Sequence, residues 1–523
     1  HHEIVHVISA PRQVHQAPAR RWGSFVPLYA LPGRFGVGDF DSLRQLVEWT
    51  ARHGGAFAGT TPIFATFLDQ PFDPSPYAPV SRLYWNELHI DPTAAPELGR
   101  SPEARELLGS PGFQKELSAL SAGKRVDYRG AMAAKRRVLE LLADTLEGDA
   151  SAELAALGHS DPGLLQYATF RAHCQEEGVG WRSWRRPGGF VNPDTVRYHA
   201  YVQRLCREQL AHAGDRLYLD MPLGVHAGGF DTWRHRDVFV EGVSVGAPPD
   251  PLFQGGQDWG FPPLHPGRMR QDGHAYWLAC LRTLLRPAWA ARIDHVMGLH
   301  RLYWVPHGFP ATDGVYVRMP AEELYALLSL ESHRAGTALV GEDLGTVPGE
   351  VRRSMRRHGM LRSYVLEFQM GEGDPFTDVP AKALAGMNTH DMPTFAGFWE
   401  GEDIDRRVNL GLTGPDEARR EHRERAVLRR HFSEVLRARG HRVRGLGSAL
   451  DASLAELAES RAQLLVVNVE DLWEEREPQN VPGTGFEAGN WQRRAAYGPD
   501  EIDAAPGALR RIEAVAAQRG AQG

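Results

Sequence analysis

The sequence predicts an α/β fold: a (β/α)8 TIM barrel with long helical insertions between strands, chiefly between strands two and three. Two observations carry that expectation. Eight short apolar segments recur along the 523 residues, separated largely by stretches of helical periodicity, the pattern of parallel strands joined by crossover helices. Four of these segments finish on or run into an acid, namely Asp220, Asp294, Glu342 and Asp391. A barrel gathers the carboxyl ends of its strands at one mouth, where its chemistry is placed.

The chain opens with an irregular Pro- and Arg-containing leader over 1–21, ahead of a barrel expected over 22–505. Within the leader, His2-Glu3-Ile4-Val5-His6 matches H-E-x-x-H, a zinc motif only on a helix. Here Ile4, Val5, Val7 and Ile8 favour a strand, so no zinc site is expected. The first strand is read over 22–31, followed by the glycine-rich turn Gly33–Gly38 and a helix over 41–50 with Leu43, Leu46 and Val47 on one face. That turn lacks both the G-K-[ST] ending and the G-x-G-x-x-G spacing, so it reads as a tight turn and not a phosphate loop. A second strand is read over 56–63. The prolines of Asp73-Pro-Ser-Pro-Tyr77-Ala-Pro-Val-Ser-Arg82 then forbid regular structure. That loop is either a rigid platform presenting Tyr77 for stacking or a stiff connector. Residues 94–215 form a mainly helical insertion, with a helix start at Ser101-Pro102-Glu103 and a strong helix over 128–146.

The third strand is read over 216–222. An aromatic loop without periodicity follows over 246–267, with Phe253, Trp259 and Phe261 among glycines and prolines. Loops of that length in a compact domain are usually lids, binding loops or disordered, and the aromatics argue against disorder. Helices are expected over 275–285, 321–335 and 416–439. The remaining strands are read over 289–294, 337–345, 364–369, 383–388 and 464–469. A loop spans Gln479 to Trp491, and the segment 506–523 closes the chain with a helix and a tail.

Net charge is −7 with 24% charged residues, and lysine occurs only at 115, 124, 135 and 382, so no basic stripe suggests nucleic acid. No apolar run reaches the roughly 20 residues of a membrane span. Cys174, Cys206 and Cys280 are too few and scattered for a disulfide framework, which suits a reducing cytoplasm. No signal peptide is visible, though the chain begins on His1-His2 without a methionine.

Arg292 and Asp294 flank Ile293 on the fourth strand, so both project to one face. A guanidinium beside a carboxylate favours the ionised form, as a nucleophile or charge stabiliser requires. The pair could equally be a structural ion pair within a barrel. Carboxylates crowded at one mouth repel, so one is driven protonated while an Arg-paired neighbour stays charged. That division suits glycoside cleavage, where retaining enzymes hold two carboxyls about 5–5.5 Å apart. A Mg²⁺ site would use the same residue types. Aromatic loops bearing Tyr77 and Trp259 favour sugar chemistry, since sugar faces stack on aromatic rings.

At these residues the chain resembles the 4-α-glucanotransferases, or amylomaltases, of glycoside hydrolase family 77 within the α-amylase superfamily. The resemblance runs from about Trp22 to Arg493. It rests on Ser75-Pro-Tyr77 with Ser81-Arg82, Asp220-Met-Pro222, Gly246-Ala-Pro-Pro-Asp250 with Trp259-Gly260, and Arg292-Ile-Asp294-His295. Glu342-Asp-Leu-Gly345, Thr389-His-Asp391 and Asn480-x-Pro-Gly-Thr484 complete it. It implies Asp294 as nucleophile, Glu342 as general acid/base and Asp391 as a third carboxylate gripping ring hydroxyls. Arg292, His295, His390 and Asp220 would line the donor sugar's subsite. Tyr77, Trp259 and Asn480 would contact the glucan. The family usually has Asn after Thr-His-Asp, where this chain has Met392-Pro393. The implied reaction moves α-1,4-glucan segments between maltooligosaccharides or to glucose, with configuration retained and with no metal or organic cofactor. An α-glucan hydrolase using the same acids is the alternative. Neither nucleic acid nor membrane is an expected partner, and the resemblance leaves monomer and homodimer both open.

Overall fold

A computed structural model describes residues 6–18, 20–68, 72–146, 158, 161–178, 180–184, 191–250, 254–371 and 373–519. The first four residues of the H-E-x-x-H motif, His2 to Val5, and Phe253 lie outside them.

Among the described residues twelve strands are formed: β1 (Arg21–Phe25), β2 (Phe57–Gly59), β3 (Leu217–Met221), β4 (Val243–Ala247), β5 (Gln257–Asp258), β6 (Ala288–Ile293), β7 (Arg301–Pro306), β8 (Val315–Arg318), β9 (Ala338–Gly341), β10 (Leu361–Val365), β11 (Ala383–Gly386) and β12 (Leu464–Asn468). Eight of them close a barrel in the order β1-β12-β11-β10-β9-β6-β3-β2, and every neighbouring pair is parallel. The predicted (β/α)8 barrel is therefore the fold. Its lower interior is filled by Phe57, Tyr218, Ala290, Ala338, Val340, Leu361, Leu384 and Leu464, with Trp289 stacked on Phe57 at 5.2 Å. Higher up, Gly386 carries no side chain, and a cavity of ≈ 60 Å³ is lined there by Phe25, Arg292, Gly386 and His390 among others.

Helices pack the outer face because their apolar stripes match the barrel's exterior. In Phe40–Arg52, Leu43, Leu46 and Trp49 are buried, and Asp39 caps the first turn by accepting from Ser42 N at 2.9 Å. The helices predicted over 275–285 and 321–335 occur as Ala275–Leu285 and Ala321–Ala335. The long charged helix is Pro415–Ala438 and the closing one Ala508–Arg519. Between β2 and β3 lie the helices Pro102–Gly109, Pro111–Ala122, Tyr128–Ala143, Pro162–Glu177 and Pro193–His212, the insertion expected there. It is tied to the segment that leaves β2 by Lys135, which is fully buried and donates to the carbonyls of Leu88 at 2.6 Å and Ile90 at 2.7 Å.

Three expectations are corrected. The sixth barrel strand is Leu361–Val365, not 364–369, because Leu366–Gln369 turn into a 3-10 helix at the mouth. The first strand stops at Phe25, since Pro27 supplies no N–H for a longer ladder. The stretch 246–267 is not wholly irregular. Gly246-Ala247 and Gln257-Asp258 join an antiparallel sheet, β5-β4-β7-β8, which stands beside the barrel mouth. Among the described residues no helix is long and apolar enough to cross a membrane.

Candidate active site

Register brings the first pieces together. In the β3–β6 ladder Asp220 lies opposite Arg292, and both side chains face the mouth. Arg292 Nη1 donates to both oxygens of Asp220, at 2.9 and 2.8 Å, while Nη2 pairs with Asp294 Oδ1 at 2.9 Å. One guanidinium thus joins carboxylates from two adjacent strands, and its planar fork suits that double duty. Asp220 is almost fully buried. Burial raises its pKa, Arg292 opposes the rise and Asp294 adds to it.

Asp294 sits one residue beyond β6, where the chain turns sharply. His295 adopts a left-handed backbone with φ 46°, and its amide then points at the next strand's end, donating to Glu342 Oε2 at 3.0 Å. Leu344 N donates to Glu342 Oε1 at 2.6 Å. Burial, only partly opposed by Arg292 and reinforced by Asp294, raises the Glu342 pKa from 4.5 to about 7. Asp343, the acid beside it, points away and is held by Arg362 Nε at 2.7 Å and Arg352 Nε at 3.2 Å.

Asp391 follows β11 on the opposite rim. Asn480 Nδ2 donates to its Oδ1 at 2.8 Å and His390 Nε2 lies 3.1 Å from its Oδ2. Burial alone would raise its pKa. His390, Asn480 and Arg292 outweigh it and bring the group down to about 2, although 40% of the side-chain surface still faces the cleft. Tyr77 closes the circle. Its hydroxyl donates to Asp220 Oδ2 at 2.6 Å and lies 2.6 Å from His390 Nε2, with the two rings stacked at 5.3 Å.

The antiparallel sheet supplies the facing wall. Trp259 N donates to Val245 O at 2.9 Å, which fixes the indole edge-on to His295 at 5.4 Å. All ten residues singled out in the sequence, Tyr77, Asp220, Trp259, Arg292, Asp294, His295, Glu342, His390, Asp391 and Asn480, are therefore linked around one mouth. Two aromatics were missed. Phe25 stacks on His390 at 5.8 Å, and Trp491 tilts against Tyr77 at 5.7 Å. Phe25 could have been found as the last residue of the first strand, whereas Trp491 lies in a loop without a positional signal. Beneath the mouth, beside Asp294 and His295, a second cavity of ≈ 60 Å³ is lined by apolar groups including Leu223, Phe261 and Leu302, with Arg82 at its edge. Among the described residues no group of three or more His, Cys, Asp or Glu side chains is arranged to hold a metal ion.

Comparison with known proteins bears on this architecture. The family model described as 4-alpha-glucanotransferase matches residues 26–498. A 4-alpha-glucanotransferase of Mycobacterium tuberculosis strain H37Rv is 35% identical over 92% of this chain and 72% of its own length. The amylomaltase of Corynebacterium glutamicum superposes with a TM-score of 0.87 at 26% identity, over 97% of this chain and 77% of that one. The amylomaltase of Streptococcus agalactiae, solved in complex with acarbose, shares the fold. Its TM-score is 0.78 at 20% identity, over 96% of this chain and all of that one. A match of that extent, on this barrel, places the chain in the 4-alpha-glucanotransferase family, glycoside hydrolase family 77, and makes it an enzyme of that activity.

Proposed function

We propose that the enzyme transfers α-1,4-glucan segments by double displacement at Asp294 and Glu342. The observation that carries this reading is the unequal setting of two acids bridged by the His295 amide, which follows Asp294 and donates to Glu342. Asp294 is ion-paired to Arg292 at 2.9 Å, while Glu342 holds its proton to about pH 7. In the first step an Asp294 oxygen bonds to the anomeric carbon as the bond from that carbon to the bridging oxygen breaks. Glu342 gives its proton to the departing oxygen. The second step reverses these roles. Glu342 takes the proton of an acceptor 4-hydroxyl, that oxygen attacks the anomeric carbon, and Asp294 leaves, so the α configuration returns. Asp391, ionised and set by Asn480 and His390, grips ring hydroxyls of the distorted, oxocarbenium-like sugar. Asp220, Arg292, His295 and His390 line the donor subsite, and Tyr77 and Trp259 present ring faces to the glucan. Donors are maltooligosaccharides and related α-glucans, with glucose or a further oligosaccharide as acceptor. The acarbose bound by the Streptococcus relative is consistent with a site of this kind.

Incubation with pure maltotriose tests the reading. Transfer yields glucose and a ladder of longer maltooligosaccharides, whereas shortening products alone would indicate a hydrolase. Asp294→Asn should abolish turnover while glucan binding, followed by calorimetry, persists. Full activity in that variant would refute the assignment.

A further inference from the structure

The Ser81-Arg82 pair has no place in the chemistry above, yet both residues are buried at the mouth, at 0% and 2% exposure. The loop that carries them and Tyr77 contains Pro74, Pro76 and Pro79, so it has few N–H groups with which to join a ladder. Its exit is held by backbone bonds from Val80 N to Ala65 O at 2.6 Å and from His226 N to Pro79 O at 2.8 Å, and by side chains. Asp231, on the short helix Phe230–Arg234 after β3, accepts from the Ser81 hydroxyl at 2.5 Å and from Arg82 N at 2.8 Å. Tyr276 donates to Asp231 Oδ2 at 2.7 Å. The Arg82 guanidinium donates through Nη1 to the carbonyls of Pro222 at 3.2 Å and Leu223 at 3.0 Å. Its Nε and Nη2 reach the Tyr276 hydroxyl at 3.3 and 3.1 Å.

Pro222 and Leu223 directly follow Asp220-Met221. The loop thus grips the exit of one strand twice, through Tyr77 on Asp220 and through Arg82 on the two carbonyls beyond it. We propose that Arg82 is a positioning residue for sugar transfer, its forked contact with the β3 exit setting where the Tyr77 hydroxyl stands over Asp220. This rests on the reading of Tyr77 as part of the donor subsite. Lysine carries its donors on one tetrahedral centre and cannot span two carbonyls and a hydroxyl in the same plane.

A double-mutant cycle on maltotriose disproportionation tests the proposal, using wild type, Tyr77→Phe, Arg82→Lys and the double variant. Arg82→Lys alone should lower kcat/KM about tenfold, and should cost less than about twofold once Tyr77 has lost its hydroxyl. Losses that multiply would overturn the clamp and leave the site assignment standing. Full activity in Tyr77→Phe would overturn both the clamp and the role given to Tyr77. Should Arg82→Lys fail to fold, Ser81→Ala, which removes the hydroxyl donor to Asp231 and the acceptor of Leu83 N, enters the same cycle, where multiplying losses again overturn the proposal.

Discussion

Replacing Glu342 with glutamine should change how stability depends on pH. The Glu342 carboxyl holds its proton to about pH 7 in the folded chain, against an ordinary 4.5. Between those values the folded chain keeps a proton that the unfolded chain has released. Stability therefore falls as pH climbs from about 4.5 through about 7, and this contribution is constant above. A rise of about 2.5 pH units at 1.36 kcal/mol per unit is about 3 kcal/mol. The side chain is partly open to the cleft, so solvent screening reduces this to about 2 kcal/mol. Glutamine does not titrate. The stability of Glu342→Gln relative to wild type should rise by that amount between pH 4.5 and pH 8. The cost of disturbing the His295 and Leu344 amides is the same at every pH and cancels in the difference. At roughly 2.1 cal/mol/K per residue, a chain of 523 residues moves by about 1 °C per kcal/mol. The gap in Tm between the two proteins should accordingly change by about 2 °C, measured by scanning calorimetry across the range. Parallel curves, or a change centred far from that interval, would refute the electrostatic reasoning. On the proposed mechanism the same proton passes to the leaving oxygen, so wild-type kcat/KM should decline above about pH 7.

Two further outcomes follow from single contacts. Asn480→Ala removes a donor at 2.8 Å from Asp391, and loss of a hydrogen bond to a charged group, about 1.5–3 kcal/mol, corresponds to a roughly ten- to hundredfold fall in kcat/KM. Steady-state kinetics on maltotriose with an unchanged melting curve would bear this out. Lys135→Met leaves the carbonyls of Leu88 and Ile90 buried without their donor, and should destabilise the protein by about 2–4 kcal/mol in urea titration, a small change counting against the role assigned to the lysine.

Much of the barrel was legible because buried parallel strands read as short apolar runs, and Asp220, Asp294, Glu342 and Asp391 each stand at or just past such a run. The pairing of Arg292 with Asp294 followed from strand alternation alone. Its second partner, Asp220, did not, since strand register across 72 residues of sequence leaves no local trace. The antiparallel sheet was missed for the same reason. Val243–Ala247 pairs with Arg301–Pro306, which lies far along the chain and is not joined to it by a hairpin turn. In the sixth strand Arg362 and Ser363 interrupt the apolar run, and the apolar residues that shifted the expected strand towards 369 belong partly to a 3-10 turn. Phe25 and Trp491 escaped notice because an aromatic ring in the sequence does not say which ring it will face.

The left-handed residue His295 has a wider consequence. Asp294 and the amide that holds Glu342 are separated by a single peptide unit, and the dihedral angle following that unit is one that non-glycine residues rarely adopt. One hydrogen bond, from the amide directly after Asp294, therefore ties the Glu342 carboxyl to the segment that carries Asp294. A shift of this segment would carry both groups together, so the gap between the two carboxyls should resist sequence drift elsewhere in the barrel.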